Sequence, residues 1–115
     1  MTTLTEGTHA AEFLLSEANG FRSREAVTLA PNAAVIPAGQ LLGRVTAGGA
    51  FVPYANGATN GSEVVAGVLY APAAISAAAR QVTIIARDAE VIDAALVGVD
   101  TPGRADLALL GISLR

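Results

Sequence analysis

The chain has 115 residues, a mass of 11.5 kDa and a formal net charge of -3; 52% of its residues are hydrophobic and 15% charged. No cysteine or lysine and a single histidine, His9, exclude disulfides, thiolate and Schiff-base chemistry, a Walker-type phosphate loop and multi-histidine metal sites, and the missing basic run excludes nucleic acid as a direct partner. The length suits one domain with a modest core, while the surplus of alanine and glycine over charge implies surface covered by another chain.

Residues 1–24 are polar around one apolar cluster, Phe13-Leu14-Leu15, and Asn19-Gly20 reads as a turn. MTTLTEGTHA has neither a positive n-region nor an apolar h-region, so the chain is read as made without a secretory signal. Locally this stretch fits either an arm ordered against a partner or an ordinary first strand or hairpin. From Glu25 onward short strand patterns alternate with turn residues. Ala26–Ala30 is strand-like and stops at Pro31-Asn32. Leu41–Thr46 and Phe51–Tyr54 flank Gly48-Gly49 as a hairpin, and Pro53 puts the second strand at an edge or ends it.

Ala55–Ser62 is a loop with two Asn-Gly turns; its Asn60-Gly61-Ser62 matches a glycosylation acceptor but is better read as turn chemistry. Val64–Ala71 is a strand in which Gly67 marks a bulge or a close backbone approach. Ala73–Ala79, rich in alanine, is expected to make one or two helical turns. Gln81–Arg87 is the strongest strand, with Val82, Ile84 and Ala86 alternating against Thr83, Ile85 and Arg87. Thr101 is the expected cap and Pro102 the opening of a short helix, Gly111 its left-handed stop, and Ile112–Leu114 a last strand. The two long uncharged runs, Ala26–Gly43 and Val45–Ser62, are broken by prolines and amides, so neither is a membrane span. The expected fold is mainly β with one or two short helices.

No catalytic constellation emerges. Asp88, Glu90 and Asp93 could offer oxygens to a hard cation, but they lack the glycine and terminal glutamate of a calcium loop and read as a solvated strand end. His9 could pair with Glu6 or Glu12 as a base, yet no nucleophile or oxyanion hole lies nearby in sequence. No cofactor, metal or membrane partner is expected.

The order of segments is similar to that of phage head decoration proteins, the family typified by the phage lambda head decoration protein D. The stretches that carry it are EFLLSEANGFRSREAVTLA (Glu12–Ala30), PAGQLLGRVTAGGAFVPY (Pro37–Tyr54), GSEVVAGVLYA (Gly61–Ala71), RDAEV (Arg87–Val91) and the closing GISLR. The resemblance implies a β-clip-like small domain, residues 25–115, with an extended N-terminal arm, residues 1–24. It implies a homotrimer on the outer surface of the virion, at threefold positions of the expanded head. There it would clamp neighbouring major capsid protein subunits against the pressure of packaged DNA. The arm is implied to make much of the shell contact, so the candidate capsid-binding residues are Thr8, His9, Glu12, Phe13, Leu14, Leu15, Ser16, Arg22 and Arg24. An arm of this kind can add to an exposed sheet edge by main-chain hydrogen bonds.

Two other classes compete. Val35–Leu42 (VIPAGQLL) resembles the Ile-Pro-x-Gly turn of antifreeze- or sialic-acid-synthase-like β-clip modules, whose partner is a carbohydrate or ice. Some trimeric β-clip proteins hydrolyse nucleotides, but their carboxylate, arginine and serine motifs are missing here.

Overall fold

The computed structural model describes residues 9–20 and 22–115. Among them the strands are β1 (Leu14–Glu17), β2 (Arg24–Leu29), β3 (Leu41–Arg44), β4 (Phe51–Pro53), β5 (Val65–Leu69), β6 (Arg80–Ile85), β7 (Ala89–Val91) and β8 (Ile112–Leu114). A 3-10 turn at Asp93–Ala95 and one helix, α1 (Thr101–Leu109), lie between β7 and β8. Five strands close a barrel in the order β2-β4-β3-β5-β6, and β1-β7-β8 form a second, three-stranded sheet. The mainly β, β-clip-like expectation holds.

Along β3, β5 and the end of β6 the barrel wall is buried on both faces, for a reason visible in those strands. Consecutive apolar pairs, Leu41-Leu42, Val68-Leu69 and Ile84-Ile85, point to opposite sides of a pleated strand. One member of each pair joins a cluster with Val27, Leu29, Ile36 and Phe51. The other joins Phe13, Tyr54, Val91, Leu107 and Ile112 from the second sheet, α1 and the connecting segments. The two sets expected to alternate in β6 are therefore not one buried and one exposed: Ile84 and Ile85, from opposite sets, are both fully buried.

The Gly48-Gly49 hairpin joins β3 and β4, both glycines having φ near +80° (+87° and +75°). β4 ends at Pro53, where the ring cannot donate to a ladder. At Gly67 both expectations coincide. The β3–β5 register shifts between Leu42↔Gly67 and Gly43↔Val65, and a Cβ on Gly67 would lie 2.6 Å from Ile84 Cδ1.

Two local expectations need correction. Ala73–Ala79 forms no helix. Seven residues are too few to nucleate one unaided, and the segment is instead bridged to residues 32–36 through Ile36↔Ala73 and Asn32↔Ser76. The helix cap is Asp100, not Thr101. Its extended backbone lets the carboxylate accept from Gly103 N at 2.7 Å, which puts Thr101 and Pro102 inside the first turn. Gly111, at φ +79°, closes the helix as expected.

Candidate functional site

The N-terminal candidates divide by what the fold does with them. Thr8 lies outside the described residues, as does Glu6. His9 and Glu12 are exposed and joined through His9 N, which donates to Glu12 Oε2 at 2.9 Å. A tight turn follows in which Ala11, at φ +58°, donates its N–H to Tyr70 O at 2.8 Å. Phe13 is fully buried in the core between the two sheets, and its carbonyl accepts from Ile92 N at 2.7 Å.

Beyond Phe13 the chain runs as β1, antiparallel to β7 with Leu14↔Val91 and Glu17↔Ala89 in register. The register shifts between Leu14 and Ser16, which leaves Leu15 at a bulge with 51% of its surface exposed. Leu14 packs half-buried on the core, and Ser16 is exposed. Because β7 occupies the middle of the sheet, β1 has one flank without a strand partner among the described residues.

Polar contacts fasten this segment to the barrel. Arg24 grips Glu17 with two hydrogen bonds, 3.1 Å from Nε and 2.6 Å from the terminal nitrogen, and stacks 4.5 Å over the Tyr70 ring. The fully buried Ser23 hydroxyl accepts from Ala18 N and donates to Asp88 O. Arg22 is exposed, and its carbonyl accepts from Arg87. From His9 on, the chain thus takes the form of a first strand tied into the fold. His9, Glu12, Leu15, Ser16 and Arg22 are left accessible.

The three acidic residues after β6 do not converge. Glu90 faces Arg115 at 3.4 Å and Asp93 faces Arg104 at 3.2 Å, while Asp88 occupies a left-handed turn beside Gly111. Among the described residues no group of three His, Cys, Asp or Glu is placed to hold a metal ion, and no helix is long and apolar enough to cross a membrane. The Ile-Pro-Ala-Gly turn is built into the core: Ile36 and Ala38 are buried, and Gly39 (φ +89°) leaves no room for a Cβ beside Ala95 O.

One buried ionisable group titrates far from its ordinary range. Burial, and then the 2.9 Å hydrogen bond that its hydroxyl donates to Asp100, push Tyr54 up to about 12. An unfolded tyrosine ionises near 10, so between pH 10 and 12 the unfolded chain sheds a proton that the folded chain keeps. This contribution to stability is intact below pH 10 and lost as pH rises through 12. Denaturant titrations from pH 7 to 12 should show that loss. Tyr54→Phe should remove this residue's part of the slope, at a cost of about 1 kcal/mol at neutral pH.

A second surface escaped the sequence reading. Residues 30–38 and 71–79 run antiparallel, with Asn32 and Ser76 exchanging backbone hydrogen bonds and Ile36 and Ala73 doing the same. Arg80 braces the pair from inside, donating to Ala30 O, Asn32 Oδ1 and Ala74 O. Four residues of the first segment and seven of the second are exposed, all apolar, including Val35 at 60% and Ile75 at 63%. The available signal was the lack of charge across both segments.

A family model described as bacteriophage lambda head decoration protein D matches residues 3–112. No curated protein and no solved structure matches the chain.

Proposed function

Since the chain belongs to the bacteriophage lambda head decoration protein D family over nearly its whole length, we propose that it cements the phage head: it binds the expanded capsid as a homotrimer and holds that lattice against packaged DNA. Family membership gives it a capsid decoration role and a place on the virion capsid. The family match is the observation that carries the reading.

The physical mechanism is linkage. A protein that binds only the expanded lattice stabilises it by the free energy of binding, about 2.7 kcal/mol per site at a hundred times Kd, with no chemical step. Three copies in one assembly reinforce one another through effective concentration, so individually weak contacts suffice. Residues 1–24 are the proposed capsid-binding segment, with the major capsid protein as partner. The flank of β1 that has no strand partner among the described residues, and the exposed Leu15 at its bulge, support this, since an open strand edge can accept a strand from another chain. Phe13, Leu14 and Arg24 would position that edge, with His9, Glu12, Leu15, Ser16 and Arg22 available for contact and Thr8 outside the described residues.

The test is cosedimentation with expanded heads. Deleting residues 1–8, and separately Leu15→Glu, should each weaken head binding more than tenfold. Leu15→Glu should not move the thermal midpoint appreciably, because an exposed substitution of this kind stays within about 0.5 kcal/mol. Undiminished binding by both variants would overturn the role of this segment. No binding of the full chain to any head would overturn the decoration reading for its proposed partner.

A further inference from the structure

Taking the proposed homotrimer as premise, we infer that the bridged loop pair, residues 30–38 and 71–79, is the surface through which copies of this chain associate. Every exposed residue of the surface is apolar. No charged residue lies between Glu25 and Arg44 or between Glu63 and Arg80. Arg80 itself is turned onto the carbonyls of the pair. Its exposed side chains include Pro31, Ala34, Val35, Pro72 and Ile75. A shallow groove of about 400 Å³ runs between Pro31–Ala33 and Ile75–Ala77.

Two considerations select a second copy as the occupant. The first is charge matching. An uncharged face is best covered by another uncharged face, since a charged partner would be desolvated without compensation. Leu15, Val64 and Leu109 are exposed apart from one another in sequence, on β1, just before β5 and at the end of α1, whereas the loop pair offers apolar residues on two adjoining segments. The loop pair is thus its own matching surface. The second is area. A stable interface takes about 800 Å² from each partner, and eleven exposed apolar residues supply a surface of that order. A face this large left in water invites nonspecific association. A decoration protein must stay dispersed before a head is available, and association with other copies would cover this face in the meantime. Repeating the contact head to tail around a threefold axis closes a ring of three, with each loop pair touching its two neighbours.

Sedimentation velocity on the full-length chain at micromolar concentration tests this, alongside Val35→Glu, Ile75→Glu and Ile75→Leu, with circular dichroism to confirm folding. The expected result is a trimer for the natural chain and for Ile75→Leu, and a folded species near 11.5 kDa for both glutamate variants. Association should be weakened more than tenfold. Val35 and Ile75 are both more than half exposed, so a variant that fails to fold leaves the other to decide. Glutamate variants that remain trimeric would overturn the assignment of this surface and leave the homotrimer standing. A natural chain that sediments as a monomer would overturn the homotrimer in solution, and this inference with it. Trimeric glutamate variants that no longer bind heads would reassign the loop pair to the capsid.

Discussion

Phe13→Ala is expected to destabilise the protein by about 3–5 kcal/mol, the usual cost of removing a fully buried phenylalanine ring. At this chain length that corresponds to a fall in thermal midpoint of roughly 10–20 °C. The ring fills the space between the barrel wall and the second sheet, with its Cδ1 3.6 Å from where a Cβ on Gly39 would lie. Leu41, Val68, Ile85, Val91 and Leu107 belong to the same cluster and would border the cavity. A calorimetric scan reads the effect directly. Were Phe13 instead a surface anchor for the capsid, the midpoint would stay put and only head binding would fall. An unchanged midpoint would therefore return this residue to the contact surface.

The second large effect is expected at Gly43. A Cβ there would lie 2.6 Å from Ser62 Cα and 2.7 Å from Ser62 O. The obstacle is backbone, and it is held in place. Asn60 Oδ1 accepts from both the N–H and the hydroxyl of Ser62, and Ser62 O accepts from Ala55 N. Neither β3 nor the 55–62 loop can yield without breaking these bonds or the β3–β5 ladder. Gly43→Ala should cost about 3 kcal/mol or more, at the upper end of overpacking penalties. Gly57 provides the contrast. It has open space around it and no positive φ, so Gly57→Ala should be neutral or gain a few tenths of a kcal/mol through the unfolded state. Equilibrium urea titrations of both variants would separate steric obstruction from a general intolerance of change in these loops.

Much of the architecture was legible because it rests on local chemistry. The Gly48-Gly49 hairpin, the stop at Pro53, the bulge at Gly67 and the left-handed close at Gly111 each follow from what one or two residues permit. The errors came where a distant partner decided the outcome. Ala73–Ala79 has helical composition, but Asn32 and Ile36, some forty residues away, claim its backbone groups. Asp100 and Thr101 are both capping residues, and Tyr54 supplies a second donor to Asp100 that no local pattern shows. The burial of Ile85 could not be read because nothing in its own strand reveals the second core that covers it. The same limitation applies at the candidate site. The Phe13-Leu14-Leu15 cluster looks uniformly sticky in sequence, yet the fold buries Phe13, half-buries Leu14 and leaves Leu15 in water. Val35 and Ile75 went unnoticed for the converse reason, because exposure cannot be read from a hydrophobic run.

The pairing of β1 with β7 also constrains the order in which the protein can fold. Leu14 pairs with Val91, and β8 adds to the far side of the same strand. The amino-terminal strand must therefore wait for some seventy-five residues of chain before it has a partner. The barrel hairpin β3–β4 can close across its glycine turn long before that. Closing so long a loop carries an entropic cost that local contacts do not repay. The three-stranded sheet is accordingly expected to complete late, on a barrel already formed, making Phe13 one of the last core residues to be sealed.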